Sequence, residues 1–158
     1  MANQSSNATS EGASDNIASS STSSVSQETE AMLHRKEPEV TPEQRSITIL
    51  YGSETGNAQG LAEIFEERLS NIGNDVTLKS MDDFKPKDLK KVEDLFIVTA
   101  THGEGDPPDN AVELHEYIHG RKAPKLDGVR FSVLALGDQT YEFFCQTGKD
   151  FDLSLIHI

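Results

Sequence analysis

The chain has 158 residues, room for one domain of ordinary size. It carries 27 Asp plus Glu against 14 Lys plus Arg, a formal net charge of -13, which argues against a nucleic-acid backbone or an anionic membrane surface as partner. The single cysteine, Cys145, excludes an intrachain disulfide and a cysteine-based metal site and is compatible with a reducing cytoplasm, the expected location.

Taken from the start, residues 1–45 are rich in Ser, Asn, Thr and Glu, as in Ser19-Ser20-Ser21-Thr22-Ser23-Ser24. Such a stretch buries too little apolar area to offset its ordering entropy, so a disordered leader is expected, with one loose helical turn near Glu28–His34. It lacks the basic start and apolar stretch of a signal peptide, and no apolar run in the chain approaches the roughly 18 residues of a membrane span.

From Ser46 the pattern changes. Ile47–Tyr51 reads as a strand. Leu61, Ala62, Ile64, Phe65 and Leu69 then share a helix face, which Gly73 should terminate. Val76–Leu78 reads as a second strand, Met81–Leu89 as a loop or helical turn around Pro86, and Leu95–Ala100 as a third strand apolar enough for burial on both faces. A helix over Ala111–His119 and a fourth strand over Phe131–Leu136 follow. Alternating strands and helices predict an α/β fold with a parallel sheet covered on both faces, whose ligands bind at loops beyond the carboxyl ends of the strands.

Three such loops are rich in Gly, Asp and hydroxyl residues. The first, Gly52-Ser53-Glu54-Thr55-Gly56-Asn57-Ala58, offers hydroxyls, a tight turn and a helix N-terminus, which suit one phosphate; an ordinary helix N-cap accounts for the same residues. It has no lysine and matches neither the nucleoside-triphosphate nor the dinucleotide glycine pattern. The second, Thr101–Asn110, has two glycines that let the main chain approach a flat ligand, and Asp109 or Asn110 is placed to cap the next helix. His102 can lay its ring on a ligand face or stand in solvent. His102, His115 and His119 imply no carboxylate or Cys partner for a metal, and no metal is expected. The third, Gly137–Cys145, brings Tyr141 to the same rim, where its ring can stack on a planar heterocycle. Phe143 and Phe144 are expected in the core, and Cys145 is expected to be a small buried residue. No activated nucleophile or general base stands out, so a ligand should carry the chemistry.

Ser53-x-Thr55-Gly56-Asn57-Ala58, Thr101-x-Gly103-Glu104-Gly105-Asp106-Pro107-Pro108 and Leu136-Gly137-Asp138-x-x-Tyr141-Glu142-Phe143-Phe144-Cys145 together resemble the FMN domain of diflavin reductases. Within that family the run Tyr141–Asp152 is most similar to the flavoprotein (alpha) subunit of NADPH-dependent sulfite reductase, and the resemblance runs from about Ile47 to Asp152. It implies a flavodoxin-like doubly wound parallel sheet. It implies that Ser53, Glu54, Thr55, Gly56, Asn57 and Ala58 hold the FMN phosphate. Ala100, Thr101, His102 and Gly103 line one side of the flavin. Leu136, Gly137, Asp138, Gln139, Thr140, Tyr141, Glu142, Phe143, Phe144 and Cys145 form the other wall, with Tyr141 stacked. Microsomal relatives carry an aromatic where His102 stands.

The implied function is electron transfer from NADPH through FAD to FMN and on to a haem or iron–sulfur partner, as in assimilatory sulfite reduction; a stand-alone flavodoxin carrier is the alternative. The resemblance further implies five strands, of which four are present, with FAD and NADPH domains to follow. The residues after Asp152, Leu153–Ile158, leave the family pattern, and either a truncated gene model or a non-native tail is expected there. A sheet cut short in this way is expected to melt early and to bind FMN weakly.

Overall fold

The computed structural model describes residues 44–158. The expected leader, all but its last two residues, lies outside them, as does the helical turn near Glu28–His34. Strand β1 (Ser46–Gly52) leads into helix α1 (Asn57–Asn71) and strand β2 (Asp75–Ser80). A 3-10 turn at Pro86–Lys91 precedes β3 (Asp94–Ala100), and a second at Asp109–Ala111 runs into α2 (Val112–His119). Strand β4 (Arg130–Leu136) and helix α3 (Gln146–His157) complete the order, and α3 runs without a break across Asp152.

The four strands form one parallel sheet in the order β2-β1-β3-β4. Parallel strands need crossover connections, and here they divide between the faces. On one face α1 presents Ala58 and Ala62, both fully buried, with Phe65 and Leu69, to Ile49 and Val98. Of the predicted apolar stripe, Leu61 and Ile64 are instead exposed. They lie about 60° and 120° around the helix from Ala58, off the line of contact, at roughly 100° per residue. On the other face α2 and α3 set Leu114, Ile118, Phe151 and Leu155 against Leu50, Leu95 and Ile97. Strand β3 is central and buried on both sides, as its apolar run predicts.

The helix ends follow local chemistry. Gly73 has φ 96, and it donates to Ser70 O at 2.9 Å while Asn74 N donates to Leu69 O at 3.2 Å. That pair of reversed bonds closes α1 as a left-handed glycine cap. After β1 the chain turns to one side of the sheet and after β3 to the other. The crevice between their carboxyl ends is where such a sheet binds ligands.

Candidate functional site

The loop after β1 is held open by contacts from elsewhere. Gly56, with φ 85, is the residue before the first turn of α1, and its carbonyl accepts the first helical hydrogen bond, from Gly60 N at 2.9 Å. The amides of the first turn have no helical acceptors. Only that of Ala58 is met here by a side chain, Ser53 Oγ at 3.2 Å. Ser53 is itself fixed, its N–H donating to Asn110 Oδ1 at 2.9 Å. Asn110 Nδ2 donates to Ser80 Oγ at 2.8 Å, so this one side chain joins the ends of β1 and β2 to the loop after β3. Glu54 Oε1 accepts from Asp109 N at 2.9 Å, a second tie between the same loops. The expected helix caps at Asp109 and Asn110 are therefore absent. Neither α2 nor the 3-10 turn before it has a side-chain cap: their N-cap positions fall on Ala111 and Pro108, and Asn110 turns back to Ser53.

The loop after β3 folds into a closed turn. His102 and Asp106 exchange backbone hydrogen bonds of 2.8 Å each, and the glycines between them take φ 50 at Gly103 and φ 107 at Gly105. Thr101 N donates to Leu136 O at 3.2 Å, carrying the β3–β4 ladder one step into the loops.

The loop after β4 forms the facing wall. Asp138 Oδ1 accepts from Thr140 N and Thr140 Oγ1, each at 2.8 Å. These bonds, the backbone one first, hold the Asp138 carboxyl below its ordinary pKa, so it is a fixed negative charge at neutral pH. Cys145 is buried, as expected, and takes φ 56 ahead of α3. Phe143 and Phe144 are not core residues. Phe143 is 39% exposed and Phe144 half-buried, because the tight path from Gly137 to α3 turns both rings toward the groove. A Cβ on Gly137 would stand 2.8 Å from Cys145 N, and that close approach sets the path.

Between these loops lies a recess of about 350 Å³ lined by Thr101, His102, Gly103, Tyr141 and Phe143. A second of about 480 Å³ reaches Thr55 and Asn57 at the start of α1 and is bordered by Ala100 and Leu136. Thr101, Gly137, Asp138, Phe144 and Cys145 border both, so the two are one groove. The groove runs from a helix N-terminus to a section between His102 and Tyr141. Thr101 Oγ1 at the junction is enclosed without a hydrogen-bond partner. Of the other predicted residues, Ser53, Glu54 and Gly56 shape the first loop from behind. Ala58 is buried where α1 meets the sheet, while Gln139, Thr140 and Glu142 stand in solvent beside the groove. Among the described residues no three His, Cys, Asp or Glu side chains group as metal ligands, and no helix is long and apolar enough to cross a membrane.

A parallel sheet in this order, with a groove on one rim that runs from a helix N-terminus to a recess lined by Tyr141 and Phe143, defines a flavodoxin-type α/β domain. Residues 49–155 match the family described as Flavodoxin, and the chain belongs to that family. It is 64% identical over 111 residues to the sulfite reductase [NADPH] flavoprotein alpha-component of Bacillus subtilis (strain 168), covering 70% of this chain and 18% of the relative. It is 49% identical over 114 residues to the same component of Shewanella sp. (strain ANA-3), covering 72% of this chain and 19% of the relative. The chain thus spans under a fifth of the length of these relatives. Among solved structures it is similar to a Streptococcus pneumoniae TIGR4 flavodoxin, with TM-score 0.63, 27% identity and coverage of 70% of this chain and 74% of that one. It is likewise similar to Flavodoxin 2 from Bacillus cereus, with TM-score 0.64, 26% identity and coverage of 71% and 75%.

Proposed function

We propose that the groove binds FMN and that the domain passes electrons through it as one module of a sulfite-reductase-type diflavin reductase. The observation that carries this reading is the continuity of the groove from the N-terminus of α1 to the recess between His102 and Tyr141. Its dimensions and chemistry suit a ligand with an anionic tail, a polar middle and a flat head. The tail belongs at the amides around Gly56 and Asn57, with Thr55 beside them. The flat head belongs against Tyr141, with the Gly103 main chain at its edge. The unpartnered Thr101 hydroxyl lies where the hydroxylated middle would pass. When bound, the flavin supplies the redox chemistry, exchanging electrons singly or in pairs. The chain's own residues orient it, screen one face from water and surround it with negative charge.

The 64% identity to a reductase component, against 26–27% to free-standing flavodoxins, favours the reductase module over a stand-alone carrier. On this reading FAD and NADPH belong to further domains. The electron acceptor is a haem or iron–sulfur subunit with a basic docking face, and the location is cytoplasmic. Titrating the protein into FMN tests the first step: flavin fluorescence should quench saturably, and a Tyr141→Ala variant should bind about tenfold more weakly through lost stacking. No quenching at any accessible concentration would sink the reading.

A further inference from the structure

Thr147 lies in the first turn of α3, beyond all three loops, and is fully buried. Its hydroxyl donates to Asp106 O at 2.9 Å, with Gly105 O a second acceptor at 3.4 Å. Those carbonyls belong to the turn that forms one wall of the groove. That turn is closed only at its base, by the His102–Asp106 exchange and by Gly105 N donating to His102 O at 3.1 Å. With two glycines at φ 50 and φ 107, its backbone has little intrinsic preference for a single shape. Two things outside the turn hold it. One is packing by Phe143 and Gln146, whose Cβ atoms stand 3.1 and 3.4 Å from where a Cβ at Gly105 would be. The other is the Thr147 hydroxyl. Phe143 limits how far the turn can move inward, whereas a hydrogen bond to a named carbonyl fixes the peptide orientation.

We propose that Thr147 is a positioning residue whose hydroxyl holds the His102–Asp106 turn in the shape that the flavin meets. The proposal rests on the FMN reading for its consequence and on geometry alone for its mechanism. The helix that leaves one wall of the groove thereby sets the rigidity of the other.

Thr147→Val keeps the side-chain shape and removes the hydroxyl. Asp106 O retains its bond from His102 N, so no buried carbonyl is stranded and the variant should fold. Thr147→Ser restores the hydroxyl. Three measurements on the full chain are compared across wild type and both variants: amide hydrogen exchange of Gly105 and Asp106 in the absence of flavin, FMN affinity, and the midpoint potential of the bound flavin. For Val, exchange at the turn should rise and affinity fall by roughly fivefold, the worth of one ordinary hydrogen bond. The potential should shift, and Ser should return all three towards wild type. Wild-type exchange at Gly105 and Asp106 in the Val variant overturns the proposal. So does a loss spread evenly over the whole sheet, which would mark Thr147 as packing only. If wild type fails to bind FMN, the functional reading falls, and the exchange measurement still decides the role of Thr147.

Discussion

Asn110 and Thr147 do much to shape the groove, yet neither stands among the residues expected to line the flavin. Each uses one short polar side chain to reach a loop more than thirty residues away in sequence: Asn110 to Ser53 across 57 positions, Thr147 to Asp106 across 41. Asn110 is a residue type that caps helices, but it falls one position before the N-cap of α2, Ala111, and its amide oxygen accepts from the Ser53 N–H instead. His115 shows a different residue-scale effect. Its Nε2 is enclosed and 3.8 Å from Asp150 Oδ2, too long for a hydrogen bond, while its ring packs on Phe151 and His119. Burial first, and the neighbouring His119 second, depress its pKa below the usual 6.5, although Asp150 pulls the other way. The neutral ring is therefore favoured in the fold, and the unfolded chain binds the extra proton. The stability tied to this group is complete above about pH 6.5 and is lost as pH falls from there through the lower folded pKa. Melting between pH 8 and pH 5 should fall less steeply for His115→Gln than for wild type; parallel curves would show that His115 does not contribute.

At the scale of elements, glycines in two of the helices meet different surroundings. Gly148 in α3 faces Ala135 of β4 so closely that any Cβ at that position would overlap the Ala135 methyl. Gly60 in α1 has nothing within 4 Å of the same position. Two identical substitutions should therefore have opposite signs. Gly148→Ala should destabilise by about 1–3 kcal/mol through overpacking, and Gly60→Ala should stabilise by up to about 1 kcal/mol through helix propensity. Denaturant midpoints for the pair check this, and equal shifts would refute the contact. The close seat of α3 also brings Thr147 within reach of Asp106, because a helix held one methyl farther out would leave that hydroxyl short of its acceptor.

For the whole molecule, charge and coverage matter more than single contacts. With a net charge of -13 and Glu104, Asp106, Asp109, Asp138 and Glu142 in the loops beside it, the groove sits in a negative field. That field would hold a basic acceptor in the right orientation and would weaken as salt shortens its range to about 10 Å at 0.1 M. Electron delivery to such an acceptor should slow with rising ionic strength in wild type. It should depend less on salt after Asp109→Lys and Glu142→Lys, and identical salt profiles would remove the steering role. Coverage of the sheet is uneven. Among the described residues α1 alone covers its face, and an apolar groove of about 390 Å³ lies beside Phe65, Leu69 and Phe96.

The strand–helix alternation, the central place of β3, the Gly73 cap and the three ligand-side loops were all legible in the sequence, because each depends on local periodicity or on one residue's backbone freedom. The flavodoxin family was legible for a related reason: its marks are contiguous runs that follow strand ends. The tertiary structure alone decided which apolar residues are covered, leaving Leu61, Ile64 and Phe143 at the surface. It also decided that Asn110 serves a distant loop and that the Thr147 hydroxyl reaches the Asp106 carbonyl. Such outcomes depend on which distant groups are brought within reach once the sheet has formed, and local sequence carries no record of that. The feature that makes the three loops a single site, their convergence on one rim, arises from strand order and becomes visible only when β1, β3 and β4 lie side by side.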